Sequence, residues 1–275
     1  MLTPVSAAAF AATLQTARRI EFGSYVLHQG TVRRAIVRAA VRGAQVTVTL
    51  QRDPLGEDGP RLNAEAAREL RAAGATVRLL SSARTSFHLK AAVCDGVTYL
   101  DDRNWARSDL IVRDDAAADA ALVRRALRGI SGSTAELTTR AGDALRREAL
   151  FVASAGRAPL AAATESFGPG VLAAALGARA RRGLPTSLTV NRRLAERGGE
   201  PGVRERAALD RLRAAGVQVR ETAAADKYAV TVDGAWLGSA NASARPEQVD
   251  WGLVTREPAV VSALLRRSKE GLTPE

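Results

Sequence analysis

The stretch Phe87-His88-Leu89-Lys90-Ala91-Ala92-Val93-Cys94-Asp95-Gly96, followed closely by Asn104-Trp105, decides how this chain is read. It sets an imidazole two residues before an ammonium, and an aspartate seven residues after the histidine. The apolar alternation around it predicts a strand, with His88 and Lys90 on one face of a sheet. A nucleophile or base beside a fixed positive charge suits phosphoryl chemistry. Asp95-Gly96 predicts a tight turn into another short strand.

Outward from this stretch, the chain is written twice. Arg71-Ala72-Ala73-Gly74-Ala75-Thr76-Val77-Arg78 recurs as Arg213-Ala214-Ala215-Gly216-Val217-Gln218-Val219-Arg220. Ala92-Val93-Cys94-Asp95-Gly96 recurs as Val230-Thr231-Val232-Asp233-Gly234, and the basic pair Arg124-Arg125 as Arg266-Arg267. The offset stays between 138 and 142 residues. In the first copy a short strand (25–27) leads to a helix (31–42) ended by Gly43. A strand (45–50), a polar loop (53–60), a helix (63–73) closed by Gly74 and a strand (76–80) follow. The second copy repeats this order over 164–267. Alternating strands and helices imply an α/β fold: two repeated units, each a mainly parallel mixed sheet flanked by helices, packed about a pseudo-twofold axis. The expected division is an N-terminal helix (1–19), a first repeat (20–128), a linker and helix (129–158) and a second repeat (159–275).

Composition narrows the partners. Lys+Arg 40 against Asp+Glu 29 gives a net charge of +11, nearly all from arginine. Such a surface favours polyanions, although the arginines are spread along the chain rather than clustered. The lone cysteine, Cys94, excludes an internal disulfide and a cysteine zinc cluster. No apolar run approaches the roughly 18–20 residues of a membrane span. The first 16 residues lack a basic n-region, so no signal peptide is read there. A cytoplasmic location is expected, with export left open.

His88-x-Lys90-x4-Asp95 with Asn104 resembles the signature of the phospholipase D superfamily, His-x-Lys-x4-Asp with a Gly-Ser/Gly-x-Asn tail. The second half carries a matching tail, Gly238-Ser239-Ala240-Asn241, after Asp233-Gly234. The resemblance covers roughly residues 20–268. It implies a phosphodiesterase or phosphatidyl-transfer site at the interface of the halves, with no metal or other cofactor. One histidine attacks phosphorus, a second protonates the leaving oxygen, lysines and asparagines hold the phosphate, and an acidic residue beyond each asparagine orients a histidine. Carried over, His88 is the nucleophile, oriented by Asp109. Lys90, Asn104, Ser239 and Asn241 hold the phosphate. Asp95 and Asp233 are turn-forming residues of the motif.

The sequence departs from that pattern. Seven residues before Asp233 stands Asp226 where the second histidine belongs, and Tyr228 takes the second lysine's place. Lys227 falls between them, on the other face of a strand. In the first half Asp101-Asp102 replace the Gly-Ser pair, and Asn104 reads as displaced by one residue. Two carboxylates near a phosphate pocket repel an anion unless Arg103 or another cation offsets them. Three readings follow. An asymmetric site takes its acid from Asp226, Tyr228 or His28, the only other histidine. Or the fold binds a phosphate-bearing partner without turnover. Or a second chain in a homodimer supplies the histidine, the other state being a monomer. Asp250 matches Asp109 in position but has no histidine in its own half to orient. For substrate, the charge favours nucleic acid over phospholipid, while few aromatics argue against base-stacking platforms.

Overall fold

The computed structural model describes residues 1–55, 58–81, 86–196, 198–223 and 225–270. They form two seven-stranded mixed sheets flanked by helices. The chain divides into two compact units, the first being residues 1–140 with 247–251 and the second residues 141–246 with 252–275.

The first unit contains β1 (Leu2–Val5), α1 (Ala7–Thr16), β2 (Arg19–Ser24), α2 (Thr31–Val41), β3 (Gln45–Gln51), α3 (Gly59–Ala72) and β4 (Thr76–Leu80). It continues through β5 (Ala91–Cys94), β6 (Val97–Asp101), β7 (Ile111–Asp114), α4 (Ala117–Ala126) and β8 (Leu137–Arg140). Its sheet has the order β1-β7-β6-β5-β2-β3-β4. The parallel pairings are confined to β2-β3-β4. The other four are antiparallel, so antiparallel pairing outnumbers the parallel pairing that strand–helix alternation leads one to expect. Helix α2 buries Val32, Ala35, Ile36, Ala39 and Ala40, one stripe of a 3.6-residue period. Gly43 ends it at φ 94°, a conformation that costs glycine little. The scarce aromatics are pooled in the core: Trp105 packs on Phe10 at 4.9 Å and on Phe22 at 4.8 Å.

The second unit contains α5 (Ala141–Ser154), β9 (Leu160–Thr164), α6 (Val171–Arg181), β10 (Thr186–Asn191), α7 (Arg192–Ala195), α8 (Gly199–Ala214) and β11 (Gln218–Thr222). After these come β12 (Tyr228–Thr231), β13 (Gly234–Gly238), β14 (Val249–Thr255), whose first three residues belong to the first unit, and α9 (Pro258–Glu270). The second sheet has the order β11-β10-β9-β12-β13-β14-β8, parallel across β9-β10-β11 as the first is across β2-β3-β4.

Two short strands, β1 and β8, escape sequence reading. β1 carries Pro4, which a sheet tolerates only at an edge, and β1 pairs with β7 alone. β8 occupies the start of what sequence pattern assigns to a helix. The first predicted strand also moves: residues 25–27 are loop, and β2 ends at Ser24. Part of the predicted loop 53–60 lies outside the described residues.

Candidate active site

Residues 86–90 run up to β5 without joining it. They are held by the start of β14 instead. Phe87 bridges Val249, His88 N–H donates to Val249 O at 2.9 Å, and Val249 N–H donates to Ser86 O at 2.8 Å. These bonds set Asp250 beside His88. Its Oδ2 lies 2.8 Å from His88 Nδ1, and its side chain is fully buried. The carboxylate is fixed in turn by Gln248 Nε2 at 3.2 Å on Oδ2 and by the Trp251 N–H at 3.1 Å on Oδ1. Lys90, 1% exposed, brings Nζ to 2.7 Å from both ring nitrogens. With Nδ1–H donating to Asp250, Nε2 keeps the lone pair, and the ammonium donates to it. The Tyr25 ring meets the imidazole edge-on at 4.6 Å, and Lys90 Nζ lies 5.4 Å from the centre of that ring.

Tyr25 follows β2 and is anchored by Asn63, a fully buried residue of α3. The Asn63 Nδ2 donates to Tyr25 O and Gln51 O, each at 2.7 Å, while its Oδ1 accepts from Leu27 N–H at 2.9 Å. Sequence reading missed Asn63. Its signal was an asparagine inside an otherwise apolar helical stripe.

Asp109 does not orient His88. Its Oδ2 accepts the Asn104 and Ala106 N–H groups at 3.2 and 2.6 Å, and its Oδ1 pairs with Arg103 Nε at 2.8 Å. Asp101 accepts from Trp105 N–H at 2.7 Å. These bonds shape the 101–109 loop and hold Trp105 at φ 64°, uncommon for a bulky residue. Burial, with Asp109 and Asp102 beside it, pushes the Asp101 carboxyl well above the usual carboxylate range. Oxygens of Asp101, Asp102 and Asp109 lie within 4.8 Å of one another, a spacing open to a cation. Arg103 fills that role, 2.8 Å from Asp109 and 3.9 Å from Asp102. Asn104 Oδ1 accepts from Val26 N–H at 3.3 Å. Asp95 accepts the N–H groups of Arg18 and Arg19 at 3.1 and 2.8 Å.

Strand pairing corrects the alignment of the halves. Ala91 is opposite Gly23 and Tyr228 opposite Ala163, the corresponding positions of β2 and β9. Asp101 N–H donates to Lys90 O, and Gly238 N–H to Lys227 O. Lys227, not Tyr228, is therefore the counterpart of Lys90, and Ala225, not Asp226, that of His88. The second lysine is present and the second histidine is an alanine. The same register puts Asn104 level with Asn241 and Asp102 level with Ser239, with no displacement. The two Asp-Gly dipeptides occupy different positions in their hairpins. In β5-β6 the turn is Asp95-Gly96, with φ 48° and 96°. In β12-β13 the turn is Val232-Asp233, and Gly234 is a strand residue paired with Thr231. A cue was available in composition: the chain has three lysines, Lys90, Lys227 and Lys269. In so arginine-rich a chain, a retained lysine marks a place where a compact ammonium is needed.

The second unit treats its lysine differently. Lys227 is 2% exposed, with Nζ 3.2 Å from Glu165 Oε2 and 2.9 Å from Ala225 O. Glu165 follows β9 as Tyr25 follows β2. The Asp226 carboxylate is engaged by Arg267. Tyr228 is a core residue, 5% exposed. Ser239 is fully buried, and Asn241 Oδ1 has no hydrogen-bond partner among the described residues. His28 is exposed on the wall of a cavity of about 370 Å³, whose lining includes neither His88 nor Lys90.

No known sequence family and no curated protein sequence matches the chain. Solved structures do match. A polyphosphate kinase from Porphyromonas gingivalis superposes with a TM-score of 0.66 at 13% identity, over 100% of this chain and 50% of that one. The chain thus spans about half the length of that kinase. The yeast tyrosyl-DNA phosphodiesterase matches with a TM-score of 0.52 at 10% identity, over 94% of this chain and 90% of the other. Nuc from Salmonella typhimurium, a phospholipase D family member, matches 46% of this chain with a TM-score of 0.39. At these identities the likeness is one of architecture, and the architecture of this chain is the phospholipase D-like fold, two similar α/β units each built on a mixed sheet flanked by helices.

Proposed function

We propose that the first unit carries a phosphodiester-cleaving site in which His88 attacks phosphorus and forms a phosphohistidine. The observation that carries this reading is the ordered set Asp250, His88 and Lys90. Asp250 accepts a hydrogen bond from Nδ1–H and stabilises the positive charge that grows on the ring as Nε2 bonds to phosphorus. Lys90 turns from Nε2 to a non-bridging oxygen and meets the developing negative charge. The leaving oxygen departs with the electrons of the broken P–O bond. Water then attacks the phosphohistidine and frees Nε2. The net charge of +11 supports a nucleic-acid backbone over a lipid headgroup. A kinase and a phosphodiesterase share this fold, so fold alone does not choose the reaction.

A second reading rests on Ala225. Without a histidine in the second motif, the protein binds phosphate groups and turns over slowly or not at all. One substrate separates the readings. Bis-p-nitrophenyl phosphate has a leaving group that needs no proton, so its hydrolysis reports the nucleophile alone. Turnover in EDTA that falls by about a thousandfold or more in His88→Ala supports the first reading. No turnover by the wild-type protein, with or without EDTA, rejects it in favour of the binding reading.

A further inference from the structure

The cavity beside the 104–107 loop has no place in the reaction at His88. It lies between the start of α2, the first residues of α1 and that loop, and its volume of about 370 Å³ is at the small end of ligand pockets. His28, Arg34 and Arg107 line it, all exposed, and no carboxylate does. Arg33 also lines it. That guanidinium is 4% exposed and gives Nε and Nη2 to Glu69, while its Nη1 has no hydrogen-bond partner among the described residues. Helix α2 begins here at Gly30, with no side-chain cap and no acidic residue in its first turn. Its end therefore adds partial positive charge to the same wall. The cavity is close to the reacting group through the backbone. Tyr25 touches the His88 ring, and three Cα–Cα steps, at most about 11 Å, separate Tyr25 from His28.

We propose that this cavity binds a second phosphate of the substrate, further along a linear phosphate chain than the one His88 attacks. The proposal rests on the reading of His88 given above. It recasts His28 as a substrate contact rather than an acid. A single-phosphate lipid headgroup seated at His88 would leave these cations without an anion. A condensed phosphate and a nucleic-acid backbone share the required chemistry.

Calorimetric titration of tripolyphosphate at low salt tests it, using His88→Ala protein so that the probe is not consumed. Arg34→Ala/Arg107→Ala should weaken binding roughly three- to tenfold, as expected for two solvent-accessible ion pairs. Arg204→Ala/Arg211→Ala removes the same charge from exposed positions of α8 and should leave the affinity unchanged. Equal weakening in both double variants, or no binding at all, overturns the proposal. Displacement by a short single-stranded oligonucleotide assigns the site to a nucleic-acid backbone, and its absence assigns it to condensed phosphate. Failure of hydrolysis at His88 would sink the catalytic reading while leaving this titration intact.

Discussion

Asp250, 162 positions along the chain from His88, accepts a hydrogen bond from the imidazole Nδ1–H, while Asp109, 21 positions away, is spent on Arg103 and two backbone N–H groups. The two aspartates therefore have separable consequences. Asp250→Asn should lower kcat on bis-p-nitrophenyl phosphate by about 10² to 10⁴, because an amide can stabilise the wrong tautomer. Asp109→Asn should act on stability, since Arg103 would lose its 2.8 Å carboxylate contact and the 101–109 loop a buried charged acceptor. Paired kinetics and thermal denaturation check this, and a larger kinetic loss in Asp109→Asn would refute the assignment.

The corrected register predicts opposite outcomes at two nearby positions of the second unit. Tyr228→Lys places an ammonium in the core of β12 and should cost about 3–5 kcal/mol. Ala225→His adds an imidazole to a half-buried position outside the strand and should cost under about 1 kcal/mol. Denaturant midpoints decide it; a harmless Tyr228→Lys would restore the alignment that sequence spacing suggests.

Asn63 satisfies three backbone groups of the segments around Tyr25. Asn63→Leu leaves all three without partners in a buried place and should destabilise by about 3 kcal/mol or more. Asn63→Asp keeps the acceptor for Leu27 but turns an acceptor toward two carbonyls, so it should be no better. Urea unfolding measures both, and a stable Asn63→Leu protein would show that this anchor is dispensable.

Burial pushes the Asp114 carboxyl up to about 7, with the Ala116 N–H opposing and Asp119 adding to the rise. The unfolded chain releases that proton near pH 4, while the folded chain holds it to about pH 7. Between these values the folded state binds more protons, so stability falls as pH rises through the window. The loss is complete above pH 7, with an upper bound of about 4 kcal/mol. Asp114→Asn cannot ionise and should flatten the pH–stability curve, gaining on the wild type from pH 5 to pH 8. Parallel curves for the two proteins would remove Asp114 as the cause.

Cys94 sits in β5 at 2% exposure, and burial pushes its thiol up to about 12. A disulfide reagent at pH 8 should label it only as the protein unfolds. Rapid labelling of the native protein would contradict its burial.

Sequence carried the fold a long way because a repeat is a pattern of patterns. Glycines after helices, the β-branched runs and the recurring Arg-Ala-Ala-Gly segments agree on one α/β unit present twice. The candidate site was legible at His88 and Lys90, whose spacing survives intact. Asp250 was legible as a residue yet assigned to the wrong copy, since spacing says nothing about which strand returns to which segment. The one-residue slip at Lys227 has a local cause. Val232-Asp233 turns the hairpin without a glycine, and Gly234 is needed in the strand, where a Cβ would come within 3.1 Å of Thr255 O. A dipeptide that means a turn in one copy means a tight strand contact in the other.

The first unit is interrupted in sequence, because residues 247–251 belong to it although residues 141–246 do not. This gives the site a timetable. At about 5–20 residues per second, ribosomal synthesis takes several seconds more to reach Asp250 after Arg140 has been added. Throughout that interval the nascent chain carries His88 and Lys90 with nothing to fix the imidazole's tautomer. A fragment ending before Asp250, however well it folds, should stay inert, so under the proposed mechanism the partner that orients His88 arrives only after the intervening residues 141–246 have been made.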